Sequence, residues 1–228
     1  MKLFVIEGVD GSGKSTQIKL LNDYLLKKGY SCEYLHFPRT HAPYFGELIA
    51  RFLRGEFGSL NNVDPWLVAM LYAGDRKDAA SMISNWLEKG TIVLLDRYTF
   101  SNIAYQCAKV KNTEEQEALM KWILKLEFEY FAIPQPDINI FLDVPLSFTE
   151  KNLSASRRGK DRTYLNGTRD IHEKSLKFQK KVRNIYLKIA HSNDQMVVVN
   201  CGDNNGIMFT PDKISDLIIR IITERKLL

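Results

Sequence analysis

Apolar residues fall along this chain in two alternating rhythms. Short continuous runs at Leu3-Phe4-Val5-Ile6, Cys32 to Phe37, Thr91 to Leu95, Ile138 to Leu142 and Met196 to Val199 have the length and β-branched content of buried strands. Between them apolar positions recur at helical spacing, as Ile18, Leu21 and Leu25 do. Further helical segments begin at Tyr44 and at Asp64-Pro65, and a helical stretch follows Asp96 and runs to Phe131. Strands separated by helices predict an α/β fold, a five-stranded parallel sheet flanked by helices on both faces. Its connections are right-handed crossovers, and ligands bind at the carboxyl ends of the strands. The polar punctuation falls at those ends: Gly8, Pro38-Arg39, Asp96-Arg97, Asp143 and Gly202-Asp203.

A chain of 228 residues that is 45% hydrophobic can bury a full core. With no linker, repeat or low-complexity tract, 1–228 is expected to form a single domain. The net charge of +5 suits anionic partners without choosing among nucleotides, nucleic acid and plain solvated surface. Three scattered cysteines, Cys32, Cys107 and Cys201, form no C-x-x-C pair, which argues against a zinc site or a disulfide framework and for a reducing, cytoplasmic setting. The first apolar run is too short for a signal-peptide core, and no stretch approaches a membrane span, so no membrane partner is expected. Basic residues crowd the segment from Lys151 to Lys188. Its first half is rich in Ser, Gly and Arg, and the part from about 154 to 170 is expected to be a small basic lid that closes on a polyphosphate through Arg157 and Arg158.

The chemistry begins at Gly8 to Ser15, Gly-Val-Asp-Gly-Ser-Gly-Lys-Ser, which matches G-x-x-x-x-G-K-[ST] between a strand and a helix. Glycines let the backbone close around an anion, and the loop N–H groups of Gly11, Ser12, Gly13 and Thr16 point at it together with the helix N-terminus. Lys14 reaches the β- and γ-phosphates of a nucleoside triphosphate, and the Ser15 hydroxyl holds Mg²⁺. Asp96, at the end of a neighbouring strand, would hold the same ion or its waters.

Two further groupings add positive charge. Read as helical, Arg97, Ser101 and Tyr105 share one face and look into one cleft, with Gln106 beside them able to reach a base edge. Tyr72 and Arg76, four residues apart, pair an aromatic plane with a guanidinium, the set a nucleoside monophosphate requires. Phe37-Pro38-Arg39 adds one more loop arginine. Arg39, Arg76 and Arg97 exceed what one triphosphate needs and imply a second anionic substrate. Phosphoryl transfer between two phosphates depends mainly on positioning and charge stabilisation. A phosphate acceptor needs no base, so no catalytic histidine is expected, and His36, His41 and His191 read as ordinary.

With these motifs in order, and with Leu71 to Arg76, Asp96 to Ser101, Ala104-Tyr105-Gln106 and Phe141 to Pro145 added, the chain to about Ala190 resembles the thymidylate kinase family, in its bacterial type. The resemblance implies a P-loop NTPase fold, Mg²⁺, a homodimer, and transfer of the ATP γ-phosphoryl group to dTMP, with no nucleic-acid partner. It places Asp10 on the deoxyribose 3′-hydroxyl and Arg39, Arg76 and Arg97 on the dTMP phosphate. Arg39 or Arg97 would also touch the transferring group. Phe37 would line the dTMP site, Tyr72 would stack on thymine, Tyr105 would crowd the sugar 2′ position, and Gln106 and Ser101 would face the base. Arg158 would be the lid arginine near adenine and the ATP phosphates.

Two departures from the family pattern stand out. Gly11 occupies a place that is basic in some members, which shifts compensating charge to the lid. The family's Asp-Arg-Tyr-Glu is matched imperfectly both by Asp161-Arg162-Thr163-Tyr164 and by Asp170-Ile171-His172-Glu173, and His172 either approaches the sugar or lies on the surface. The rival readings are a deoxynucleoside kinase acting on thymidine, with Glu7 as base, and a non-catalytic nucleotide switch. No Asn-Lys-x-Asp guanine motif supports a GTPase switch.

Overall fold

Strand register brings the chemical residues to one edge. In the computed structural model, which describes residues 2–60, 62–154, 160–165, 170–173 and 175–228, β1 (Lys2–Glu7) lies at the centre of a parallel sheet. It pairs on one side with β3 (Ile92–Asp96), Ile6 opposite Asp96, and on the other with β4 (Ile138–Asp143), Glu7 opposite Phe141. The outer strands are β2 (Cys32–His36) and β5 (Met196–Asn200), giving the order β2-β3-β1-β4-β5. The expected five-stranded parallel sheet is present, its strand ends within a residue or two of the sequence expectation. Because β1 and β3 are neighbours, the loop after β1 and Asp96-Arg97 after β3 open side by side at the carboxyl edge, where ligands bind in such sheets.

Eight α-helices are described: α1 (Lys14–Lys27), α2 (Phe45–Arg54), α3 (Pro65–Glu88), α4 (Thr99–Cys107), α5 (Thr113–Leu124), α6 (Leu146–Ser154), α7 (Leu176–Ser192) and α8 (Pro211–Glu224). Local chemistry sets their starts. Asp64 accepts hydrogen bonds from the Trp66 and Leu67 N–H groups with Pro65 at the first helical position. Asn112, Ser175 and Thr210 cap α5, α7 and α8 in the same way. From α5 the chain continues into a π-helical segment, Lys125–Tyr130.

Alternating strand residues feed two cores. Phe4, Ile6, Ile92 and Leu94 pack with Ile18 and Leu21 of α1, Val182 and Tyr186 of α7, and Ile214 and Ile218 of α8. Leu3, Val5, Val93 and Leu95, on the opposite face, pack with Ala79, Ala80 and Ile83 of α3. A third cluster, built on Ile49, Phe52 and Leu53 of α2 with Val68, receives Ile171. Part of the segment expected as a lid folds as a 3₁₀ turn, Lys160–Leu165. Arg157 and Arg158 lie outside the described residues.

Candidate active site

The loop after β1 is shaped by close approach. A Cβ on Gly8 would collide with the Ser12 side chain, and Gly13, with φ 86°, takes the left-handed conformation from which α1 starts. No side chain caps α1. The Thr16 and Gln17 N–H groups donate to the Gly13 carbonyl at 3.1 and 3.2 Å, which leaves those of Lys14 and Ser15 for a ligand in the adjoining cavity, lined by Asp10 and the residues from Gly11 to Thr16. Lys14 folds back over the loop, its Nζ 3.4 Å from the Gly8 carbonyl and 3.2 Å from that of Val9. Burial, reinforced by the nearby Arg97 charge, pushes its pKa down to about 8.

That cavity, of about 610 Å³, also collects Phe37, Tyr72, Arg76, Asp96, Arg97, Ser101, Tyr105 and Gln106. Residues from four separate stretches of sequence, 10–16, 37, 72–76 and 96–106, thus converge. Gly8 itself stays beneath the loop, outside the lining. Asp96 faces Ser15, whose hydroxyl donates to Asp96 Oδ2 at 3.5 Å, and Asp96 Oδ1 is buried with no partner. Burial alone would raise the Asp96 pKa. The His36 hydrogen bond and the Lys14 and Arg97 charges outweigh it and hold the carboxylate at about 2. His36, read from sequence as ordinary, stands 3.2 Å from Asp96 and lines the cavity.

Arg97 joins the two halves of the site. The sequence reading placed it on a helix face, but α4 begins only at Thr99, and Arg97 has φ 68°. A left-handed arginine costs about 1 kcal/mol or more, and its bonds hold it there. The Arg97 N–H donates to the Ile6 carbonyl at 3.0 Å. The guanidinium donates to the Gly8 carbonyl at 2.9 Å, Asp10 at 2.7 Å, and Ser101 Oγ and Tyr105 Oη each at 3.2 Å. The arginine, hydroxyl and tyrosine do meet, by way of a backbone turn. Asp10 is fixed a second time by Gln179 of α7, which donates to Oδ2 at 2.8 Å and accepts from the Asp10 N–H at 3.0 Å. Gln179 was missed from sequence. Its signal was a polar residue inside the buried stripe Phe178, Val182, Ile185 and Tyr186.

The other two arginines are not free cations. Arg76 is 1% exposed, and its Nε and Nη2 each donate at 2.6 Å to Glu127, which lies in the π-helical segment. Thr99 Oγ1 and Asn102 Nδ2 complete the shell around that carboxylate. Arg39 turns toward α3, bonding Asp75 at 2.8 Å and Asp78 at 2.5 Å, and is absent from the cavity wall. Asn102, also missed, lines the cavity. Its Nδ2 is spent on the Ala69 carbonyl and Glu127, and its Oδ1 is buried without a partner. Glu7 is fully buried and accepts from Ser101 Oγ at 2.5 Å, Tyr186 Oη at 2.9 Å, and the N–H groups of Tyr98 and Ser101. Wholly engaged and outside the lining, it has no free oxygen to act as a base.

The roof of the cavity comes from Tyr164, Asp170 and His172. It is tied to α2 by Ile171 N–H to the Leu53 carbonyl at 3.0 Å and by Arg54 to the Tyr164 carbonyl at 2.8 Å. His172 is buried against the rings of Tyr105, Phe178 and Phe52. Burial, with Lys109 and Arg97 nearby, pushes its pKa down to about 3. His172 therefore does not lie on the surface, one of its two expected placements, but in the cavity lining. Asp170 accepts from Tyr164 Oη at 2.8 Å and the His172 N–H at 2.7 Å, yet burial and the Asp10 charge push its carboxyl up to about 7.

The chain and its fold are similar to those of known proteins. A family model described as thymidylate kinase matches residues 6–208. The chain is 34% identical over 201 residues to a probable thymidylate kinase of Thermococcus onnurineus, covering 86% of this chain and 87% of that protein. It is 31% identical over 189 residues to the thymidylate kinase of Mycobacterium tuberculosis, covering 82% and 85%. A solved thymidylate kinase structure from Candida albicans shares the fold with a TM-score of 0.70 at 24% identity, over 99% of this chain and 92% of that one.

Proposed function

We infer the roles of individual residues from one premise: the chain belongs to the thymidylate kinase family and is an ATP-dependent kinase that phosphorylates dTMP to dTDP. The observation that carries the assignment is the position of Arg97. It bridges the P-loop, through Gly8 and Asp10, to Ser101 and Tyr105 in the cavity that also holds Lys14. A donor phosphate on the loop and an acceptor phosphate at Arg97 would meet there.

The loop N–H groups and Lys14 hold the ATP phosphates and stabilise charge as the phosphoryl group moves. Arg97 receives the dTMP phosphate, which replaces its two longer bonds. Asp10, held by Gln179, accepts from the sugar 3′-hydroxyl, Tyr105 packs beside the sugar, and Phe37 and Tyr72 flank the nucleotide. The bonds of Arg76 change its expected role. With Nε and Nη2 on Glu127, a charge-neutral pair with one free nitrogen suits a base carbonyl better than a phosphate. Asn102, left with a bare acceptor oxygen, suits the base N–H, and Gln106 faces the same edge. Arg39 reaches a phosphate only by leaving Asp75 and Asp78. Arg157 and Arg158 are proposed as lid cations over ATP, in one kinase domain spanning 1–228 with a lid at about 154–170.

The family generally uses ATP with a divalent metal, and we assign Mg²⁺ to Ser15 and Asp96. The fit is chemical: a hydroxyl beside an ionised carboxylate with one unpartnered oxygen suits an ion held mostly by phosphates and water. When bound, the ion neutralises phosphate charge. No described helix is long and apolar enough to cross a membrane. Three unpaired thiols support a cytoplasmic setting, and Leu67 and Met70, exposed on α3, support a homodimer.

The test is ADP release with dTMP or thymidine as acceptor. Turnover with dTMP is expected; turnover with thymidine alone would overturn the assignment and revive the deoxynucleoside kinase reading.

A further inference from the structure

Lys109 lies just past α4 and belongs to none of the motifs above. Its stem is half-buried, its Nζ sits 2.5 Å from Gln106 Oε1 and 4.8 Å from the centre of the Phe52 ring, and among the described residues it forms no ion pair. An ammonium has only protons to offer, so the amide must turn its oxygen toward Lys109. The other end of the amide is then decided. Gln106 is 1% exposed and lines the cavity, and its Nε2 has no partner.

We propose that Lys109 is a positioning residue that locks the polarity of the Gln106 amide, so that this side chain meets the base with an N–H donor and selects a pyrimidine bearing carbonyl oxygens over one bearing an amino group. The two ends of a glutamine amide are nearly equal in size, and alone they exchange by a half-turn. Beside Lys109 that half-turn would set an NH₂ group against an NH₃⁺ group and lose the side-chain bond to the lysine. Thymine carries carbonyls at positions 2 and 4. Cytosine replaces the second with an amino group, which a flipped Gln106 would accept from and the locked one opposes. The inference rests on the reading that Gln106 faces the base.

The test compares dTMP and dCMP as acceptors near pH 6.5, because burial lowers the Lys109 pKa to about 7 and the side chain must be an ammonium. Lys109→Met keeps the stem over Phe52 and removes the donor. It should raise KM for dTMP about fivefold, change kcat less, and narrow the dTMP-over-dCMP preference in kcat/KM by about tenfold. Lys109→Arg should restore most of both. Lys109→Gln, able to donate or accept, should shift the preference the same way if the Met variant does not fold. In a Gln106→Leu background, Lys109→Met should add nothing. An unchanged preference in Lys109→Met or Lys109→Gln, or effects of Lys109→Met and Gln106→Leu that simply add, overturns the proposal. Should Gln106→Leu itself leave KM for dTMP unmoved, the base-facing reading of Gln106 is what fails.

Discussion

Arg76–Glu127 is the most buried ion pair among the described residues, and Glu127→Gln measures it. The carboxylate is fully buried and accepts from Arg76 Nε and Nη2 at 2.6 Å each, Thr99 Oγ1 at 2.8 Å and Asn102 Nδ2 at 3.0 Å. Glutamine keeps one oxygen and replaces the other with a donor facing donors. It also leaves the Arg76 guanidinium buried without its counter-charge. Burial pulls the Arg76 pKa down, and Glu127 more than compensates; without it, the desolvation is uncompensated. Breaking such a pair from one side costs about 3–5 kcal/mol, against a total stability of about 5–15 kcal/mol. With a urea m-value of about 3 kcal/mol/M for a chain of this size, the unfolding midpoint should fall by about 1 M or more. Equilibrium urea unfolding followed by circular dichroism reads this directly. Replacing both partners, Arg76→Met with Glu127→Leu, should recover most of the loss, because no buried charge then remains. A midpoint shift below about 0.3 M in Glu127→Gln, equivalent to about 1 kcal/mol, would show that water or rearrangement satisfies Arg76 and that the pair is not what it looks like.

Lys14→Ala should lower kcat by about 10²–10³ through loss of one preorganised cation, measured at saturating ATP and dTMP; a loss below tenfold would remove Lys14 from the transition state. The depressed Lys14 pKa of about 8 predicts a parent-enzyme KM for ATP that climbs as pH rises past that value, about tenfold over one unit, while Lys14→Arg, charged throughout, gives a flat profile at lower activity. Asp170 carries the opposite sign. Its native carboxyl, pushed up to about 7 from 3.8, holds a proton that the unfolded chain lacks between those values, so its contribution is lost as pH rises through about 7. Asp170→Asn, mimicking the protonated form, should raise the melting temperature at pH 8 more than at pH 6, and an equal gain at both would refute the shift.

The parts of the site that could be read from sequence are those whose geometry is local. The P-loop is one uninterrupted stretch in which a strand, glycines and a helix N-terminus set the shape among themselves. The five strands announced themselves because buried parallel strands are continuous apolar runs. Tyr72 and Arg76, one helical turn apart, needed only the helix. Residues that act through distant partners left no comparable mark: Glu127 reads as one more acid in Lys125-Leu126-Glu127, yet it decides what Arg76 can do, and Gln179 showed only as a polar interruption of an apolar stripe. A sequence displays the charges of Arg39 and Arg76 without their partners; the fold supplies Asp75 and Asp78 to one and Glu127 to the other. Arg97 reached the expected neighbours by a left-handed turn that no periodicity foretells.

By itself, then, the sequence determined the sheet and the anion-binding loop, because short-range spacing and hydrophobic period are written in consecutive residues, and its motifs in order carried the likeness to the family from which the two nucleotide substrates follow. Only the tertiary structure decided which charges are spent and which are free. The neutralised Arg76–Glu127 pair, the engaged Glu7, the Gln179 clamp on Asp10, the Lys109 hold on Gln106 and the bare oxygens of Asp96 and Asn102 all depend on contacts that chain folding alone creates. In a buried site the interaction energy of a polar group is set by what lies within about 3 Å of it, and that neighbour is most often remote in sequence.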